Sequence, residues 1–226
     1  MTDASTTGRA TASSPGRTGP PDPWWPLRPG EHILAAFAIL GLGAAAVIAG
    51  RKGEYEFFFY IGVMLVIMLA VTWVHRRVRL HLATLWALMA WAVLHLCGGM
   101  IPIHEPAEVK VLYNLWLIPG LLKYDQLIHA YGFGVTTWVC WQAIRARATP
   151  PHHSFSLLAV SVLAATGLGA TNEVIEFAAT KLVEKTNVGD YDNNAWDLCF
   201  NLGGSIIAAI LIRIAAFFRT PAAIPG

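Results

Sequence analysis

Apolar and polar positions along the chain alternate on the scale of whole segments rather than single residues. Six blocks without Asp, Glu, Lys or Arg lie at about residues 33–50, 57–74, 82–101, 127–144, 155–172 and 198–212, and short stretches between them hold the charge. Such blocks suit a hydrocarbon core about 30 Å thick when wound at about 1.5 Å per residue. In lipid each must satisfy its own backbone hydrogen bonds, which predicts helices; the short alternating strands of a membrane barrel are missing from the pattern. Residues 111–122 are also apolar, but too short to cross and broken by Pro119-Gly120, which predicts an interfacial or re-entrant piece. The expected fold is all-α, a polytopic membrane bundle of about six transmembrane helices.

The remaining organisation follows from what flanks the blocks. Residues 1–31 are rich in Ser, Thr, Pro and Gly and are expected to form a disordered tail. The first apolar run comes too late for a cleaved signal peptide. Trp24, Trp25 and Arg28 among prolines resemble an interfacial anchor. Residues 32–218 form the predicted membrane domain, and 219–226 a short tail.

Charged residues make up 13% of the 226, about half the share of a soluble domain, so a water-soluble fold is excluded and no length remains for a separate soluble catalytic domain. A net charge of +2 gives no reason to expect a nucleic-acid partner. Cys97, Cys140 and Cys199 all lie in apolar blocks and form no CxxC pair, which argues against a disulfide framework or zinc ribbon. Of 16 Lys and Arg, Arg9, Arg17, Arg28, Arg76, Arg77, Arg79, Arg145, Arg147, Arg213 and Arg219 fall on one side of the alternating topology, which predicts both termini cytoplasmic. The acids do the reverse. Only Asp3, Asp22 and Glu31 of 14 fall on that inner side, although acids contribute little to orientation.

Three outer segments concentrate the unusual residues. Tyr124-Asp125 precedes the fourth block, with His129 one helical turn beyond Asp125 on the same face. Asn172-Glu173-Val174-Ile175-Glu176 ends the fifth, with Glu173 and Glu176 on one face. Gly189-Asp190 and Trp196-Asp197 open the sixth, with Asn201 a turn below Asp197. Asp125, Asn193, Asn194 and Asp197 also suit helix N-termini as caps, and Asp192 suits a solvated loop. Two glutamates at a helix C-terminus, by contrast, oppose its dipole and repel each other, so they call for a proton, a cation or a histidine. Glycine pairs at Gly132 and Gly134, Gly167 and Gly169, and Gly203-Gly204 with Ala208 predict close approach of helices four to six, which would gather the segments into one pocket. His129, Glu173, Glu176 and Asp197, with His95 or His104, are candidate ligands for a divalent metal such as zinc, manganese or iron. His75, His81, His152 and His153 stand among arginines and are expected at a solvated basic interface.

In order and spacing these segments resemble the YjdF-type family of bacterial inner-membrane proteins, with Tyr124-Asp125 and His129, Glu173 and Glu176, then Gly189-Asp190 and Trp196-Asp197. The resemblance covers roughly residues 60–213. It implies a multi-pass inner-membrane protein and no particular reaction. A looser likeness to VanZ-like membrane proteins rests on Asp125, His129, Asp197, Asn201 and Gly204, with Glu176 where that pattern has glutamine.

The residues therefore point to an outer-facing pocket that binds a metal or a lipid head group and acts on an envelope lipid or lipid-linked substrate. Asp125, His129, Glu173, Glu176 and Asp197 would be catalytic, with Asp125 orienting His129 and a glutamate as ligand or base. A small proton-coupled transporter, or a structural membrane subunit whose polar cluster fixes helix register, are the alternatives.

Overall fold

The computed structural model describes residues 26–53, 55–104, 109–149, 154–183, 189 and 191–219. The predicted N-terminal tail up to Trp25, Glu105, His152, His153, Asp190 and residues 220–226 lie outside that set. Among the described residues six α-helices carry the fold: α1 (Glu31–Lys52), α2 (Tyr55–Val78), α3 (Leu82–Met100), α4 (Tyr124–Arg145), α5 (Phe155–Leu182) and α6 (Tyr191–Arg219). Five are long and apolar enough to cross a membrane. Helix α4 has 22 residues, as many as α1, but its composition is more polar because it is the central helix. It packs on α3, α5 and α6 and buries Gln126, His129, Thr137 and Gln142 between them. On the outside the polarity is inverted, with Leu40, Val66 and Leu163 each at least 65% exposed, as a lipid-facing surface requires.

Local signals set the helix ends. Ser154 caps α5 by accepting from the Leu157 amide at 3.3 Å. Gly53 ends α1 in the left-handed region, φ 70°, and Pro102 follows the end of α3.

The helices run alternately up and down. At one end Arg28 donates to the Leu80 carbonyl at 2.6 Å, joining the start of α1 to that of α3. Gln142, near the end of α4, accepts from the His81 amide and donates to Thr84 Oγ1, both at 2.8 Å. Trp141, Leu157, Leu158 and Ile212 close the same end between α4, α5 and α6. Arg76, Arg77, Arg79, Arg145 and Arg213 belong to this end, as do the first and last described residues. Opposite lies an acidic end, where the starts of α4 and α6 meet the second half of α5.

Small residues let the central helices approach. A methyl group on Gly204 would collide with the Ala130 carbonyl, and Gly134 faces the Gly204 backbone, so α4 and α6 touch main chain to main chain. Gly132 seats the Trp91 indole and Gly169 the Asn201 side chain. Gly167 and Gly203 face open space and take no part, contrary to the pairing expected of them.

Three further features differ from the sequence expectation. Helix α5 continues ten residues beyond the apolar block and α6 begins seven before its own, because the charged and amide side chains there turn inward to one another instead of marking a loop. Residues 102–104 and 109–123, which include the stretch expected to be interfacial or re-entrant, form no α-helix. They make two small antiparallel pairs, β1 (Pro102–His104) with β2 (Val109–Val111), and β3 (Trp116–Ile118) with β4 (Leu122–Lys123), joined by a 3-10 turn at Leu112–Asn114. Gly120, at φ 72°, makes the tight reversal between β3 and β4. At the basic end, His75 is half-buried rather than solvated, 3.3 Å from the buried carboxylate of Glu31, which Arg28 also holds.

The α4–α6 contact makes a direct prediction. Gly204→Ala should destabilise the protein by about 1–3 kcal/mol, because backbone cannot yield as a side-chain tip can, whereas Gly203→Ala should stay within about 0.5 kcal/mol. Thermal unfolding of the two variants beside the wild type, in one detergent, checks this.

Candidate functional site

The acidic end is built from four carboxylates, one histidine and four asparagines on three helices. Asp125 and His129 come from the first two turns of α4, Asn172, Glu173 and Glu176 from α5, and Asn193, Asn194, Asp197 and Asn201 from α6. The i, i+4 spacings Asn172/Glu176, Asn193/Asp197 and Asp197/Asn201 align these groups along single helix faces.

Asn201, fully buried, is the hub. Its amide nitrogen donates to Glu173 Oε1 at 3.1 Å, so its oxygen faces His129 Nδ1 at 3.0 Å and accepts the ring N–H. In a neutral imidazole that tautomer leaves Nε2 without a proton. Nε2 lies 3.6 Å from Asp125 Oδ1, beyond hydrogen-bond range, so Asn201 and not Asp125 orients the ring. Asn194 donates to Glu173 Oε2 at 3.2 Å, and Asn172 to Glu176 at 2.7 Å. Asn193 spans Asp125 at 3.3 Å and Asp197 Oδ2 at 2.7 Å.

Asp197 is therefore no helix cap. It sits in the second turn of α6, 1% exposed, and its Oδ1 is buried without a hydrogen-bond partner. An unprotonated imidazole nitrogen facing a carboxylate is unfavourable unless a proton or a cation lies between them, and so is a buried carboxylate oxygen with no partner. Asp125, His129 and Asp197 each offer a ligand atom within 4.8 Å of the others. Ligands about 2.0–2.2 Å from one ion stand roughly 3–4 Å apart, as His129 Nε2 and Asp125 Oδ1 do at 3.6 Å, with Asp197 close enough to complete the set.

Beside the cluster lies a cavity of about 60 Å³. Phe57, Tyr60 and Met64 of α2, His95 of α3, and Tyr113 form its apolar wall, and Asp125, Glu176 and Asn193 its polar side. Tyr113 packs on Gly98, where a Cβ would strike its ring, and donates to the His95 carbonyl at 2.7 Å. Burial raises the Tyr113 phenol well above its ordinary pKa and keeps it a neutral donor.

The structure brings together Asp125, His129, Glu173, Glu176, Asp197 and Asn201. His95 faces the cavity but joins no ligand group, and His104 stands exposed on β1. Tyr124 is a structural tie, donating to the Leu94 carbonyl at 2.9 Å. Trp196 points outward against Phe200, and Asp192 is exposed in the first turn of α6. The amide donors Asn172, Asn193 and Asn194 belong to the cluster through their bonds to its carboxylates, not as helix caps or bystanders. Their helical spacing from the acids was the available signal.

A family model described as "Predicted membrane protein (DUF2238)" matches residues 32–216, and the chain belongs to that family of membrane proteins. No curated protein and no solved structure matches it. Lipid contact is accordingly part of its normal environment.

Removing the hub should be costly. Asn201→Ala strips partners from His129 and Glu173 together and should lower stability by about 1–3 kcal/mol for each group left unpaired. Trp196→Ala should change it by no more than about 0.5 kcal/mol, and chemical unfolding in detergent compares the two.

Proposed function

We propose that this protein is a membrane-embedded enzyme that binds a divalent metal at its acidic end and hydrolyses an ester-type bond in a lipid or lipid-linked substrate. The observation that carries the metal is the convergence of His129, Asp125 and Asp197 from two helices, with His129 Nε2 3.6 Å from Asp125 Oδ1 and one oxygen of Asp197 buried without a hydrogen-bond partner. A nitrogen and two carboxylates suit zinc, manganese or iron. The asparagines hold the ligands in place from behind, the outer arrangement metal sites use to fix ligand geometry.

A cavity of about 60 Å³ beside Phe57, Tyr60 and Met64 has room for the small polar reacting end of a substrate whose oily body stays outside it in the bilayer. Asp125, His129 and Asp197 would hold the metal, which would supply a water of lowered pKa for attack on the ester, and Glu173 or Glu176 would carry the proton from that water to the leaving oxygen as the ester bond breaks. Proton-coupled transport is less well supported. Below Asn201 the described residues of α4, α5 and α6 hold no acid, histidine or lysine before the arginines of the basic end, where Trp141, Leu157 and Ile212 close the bundle. The arginine-rich end that carries both described termini supports a cytoplasmic placement of that end, with the site on the outer face. The YjdF-type pattern supports a bacterial inner membrane.

Elemental analysis of purified protein tests the reading. The wild type should carry stoichiometric zinc, manganese or iron, and His129→Ala should lose it while eluting as a folded species. A metal-free wild type after dialysis against each metal would exclude the metal-dependent mechanism.

A further inference from the structure

Two sets of candidate ligands, not one, surround Asp197. Asp125 and His129 of α4 stand on one side, and Glu173 and Glu176 of α5 on the other, each pair with ligand atoms within 4.8 Å of an Asp197 oxygen and of each other. Asp197 is the only residue the sets have in common. We propose that the acidic end holds two divalent cations bridged by Asp197, a reading that rests on the metal-binding function above and extends it to a binuclear centre.

The bridging role follows from how Asp197 is held. Oδ2 takes the Asn193 amide, while Oδ1 is buried with no hydrogen-bond partner, on a side chain that water does not reach. An acid placed at that depth for packing or capping would have both oxygens satisfied. A carboxylate that spans two ions has a use for the free oxygen and keeps room at the other for one amide.

Charge balance gives a second, separate reason. Asp125, Glu173, Glu176 and Asp197 carry four negative charges when ionised; neutral asparagine amides donate to each of them, and the one histidine of the cluster, His129, has its Nδ1 3.4 Å from Glu173 Oε1. One divalent ion would leave two charges uncompensated between helices, whereas two ions neutralise the set. The asparagines then serve a consistent purpose, since they orient carboxylates without competing as cations for them.

The two positions differ in chemistry. Asp125, His129 and Asp197 give a mixed nitrogen and oxygen site, while Glu173, Glu176 and Asp197 give an all-oxygen site suited to a hard ion such as magnesium or manganese. Manganese suits both. Ions sharing one carboxylate in this manner lie about 3.5–4 Å apart, close enough for magnetic coupling.

The experiment is manganese loading of the full-length protein in nanodiscs, read by metal stoichiometry and electron paramagnetic resonance. Two manganese ions per chain with the spectrum of a coupled pair are expected. Glu176→Gln should fall to one ion per chain with an isolated-ion spectrum, and His129→Ala should do the same from the other side, with size-exclusion profiles confirming folding. If neither variant folds, the wild-type measurement still decides. One ion per chain with an isolated spectrum overturns the binuclear centre and leaves the single-metal function standing; two uncoupled ions overturn the bridge; no bound ion overturns both readings.

Discussion

A carboxylate between helices needs a donor that is itself buried and oriented, and here that donor is the amide of Asn201. One planar group faces two ways, giving its N–H to Glu173 and its oxygen to His129, so α4, α5 and α6 are each held at a fixed height and rotation relative to the others. The packing of the central helices is subordinate to this bond. Gly169 lacks a side chain where Asn201 lies, and Gly204 and Gly134 let α6 come near enough to α4 for the amide to reach. Apolar burial alone would allow such helices to slide by a turn, because lipid offers no strong preference between one apolar face and another.

From that constraint the molecule divides into two ends with different chemistry. The basic end is closed by aromatic and aliphatic side chains and tied by Gln142 and Arg28 to backbone groups. The acidic end keeps a cavity, and α2 is drawn into it through Phe57, Tyr60 and Met64. The outer helices thus line the cavity while the inner three hold the polar cluster.

Much of this was legible in the sequence, for identifiable reasons. Uncharged runs of membrane length fix the number of helices, and the split of arginines from acids fixes which ends go together. The convergence of Asp125, His129, Glu173, Glu176 and Asp197 followed from spacing and small residues. What escaped was the extent of α5 and α6, because hydropathy stops at Glu173 and at Asp197 whether those acids face water or each other. The same blindness made Asn193 and Asn194 look like caps and assigned the orientation of His129 to Asp125. Side-chain amides carry no charge and no periodic apolar signal, so their role appears only when three helices are seen together. The hairpins of residues 102–123 were hidden for another reason: their apolar content is typical of helices, and only Pro102 and Pro119-Gly120 hint at extended chain.

Those hairpins present Leu115, Trp116, Leu117, Ile118 and Leu121 outward, at the end of the bundle where Tyr113 walls the cavity. A greasy rim of that kind has no stable resting place in water and gains by settling among acyl chains and head groups. The surrounding bilayer thereby becomes a structural component of the cavity wall, as much as Phe57 or Met64. Lipid thickness and head-group composition then tune how firmly Tyr113 is seated, and a detergent micelle replaces that support with a softer one.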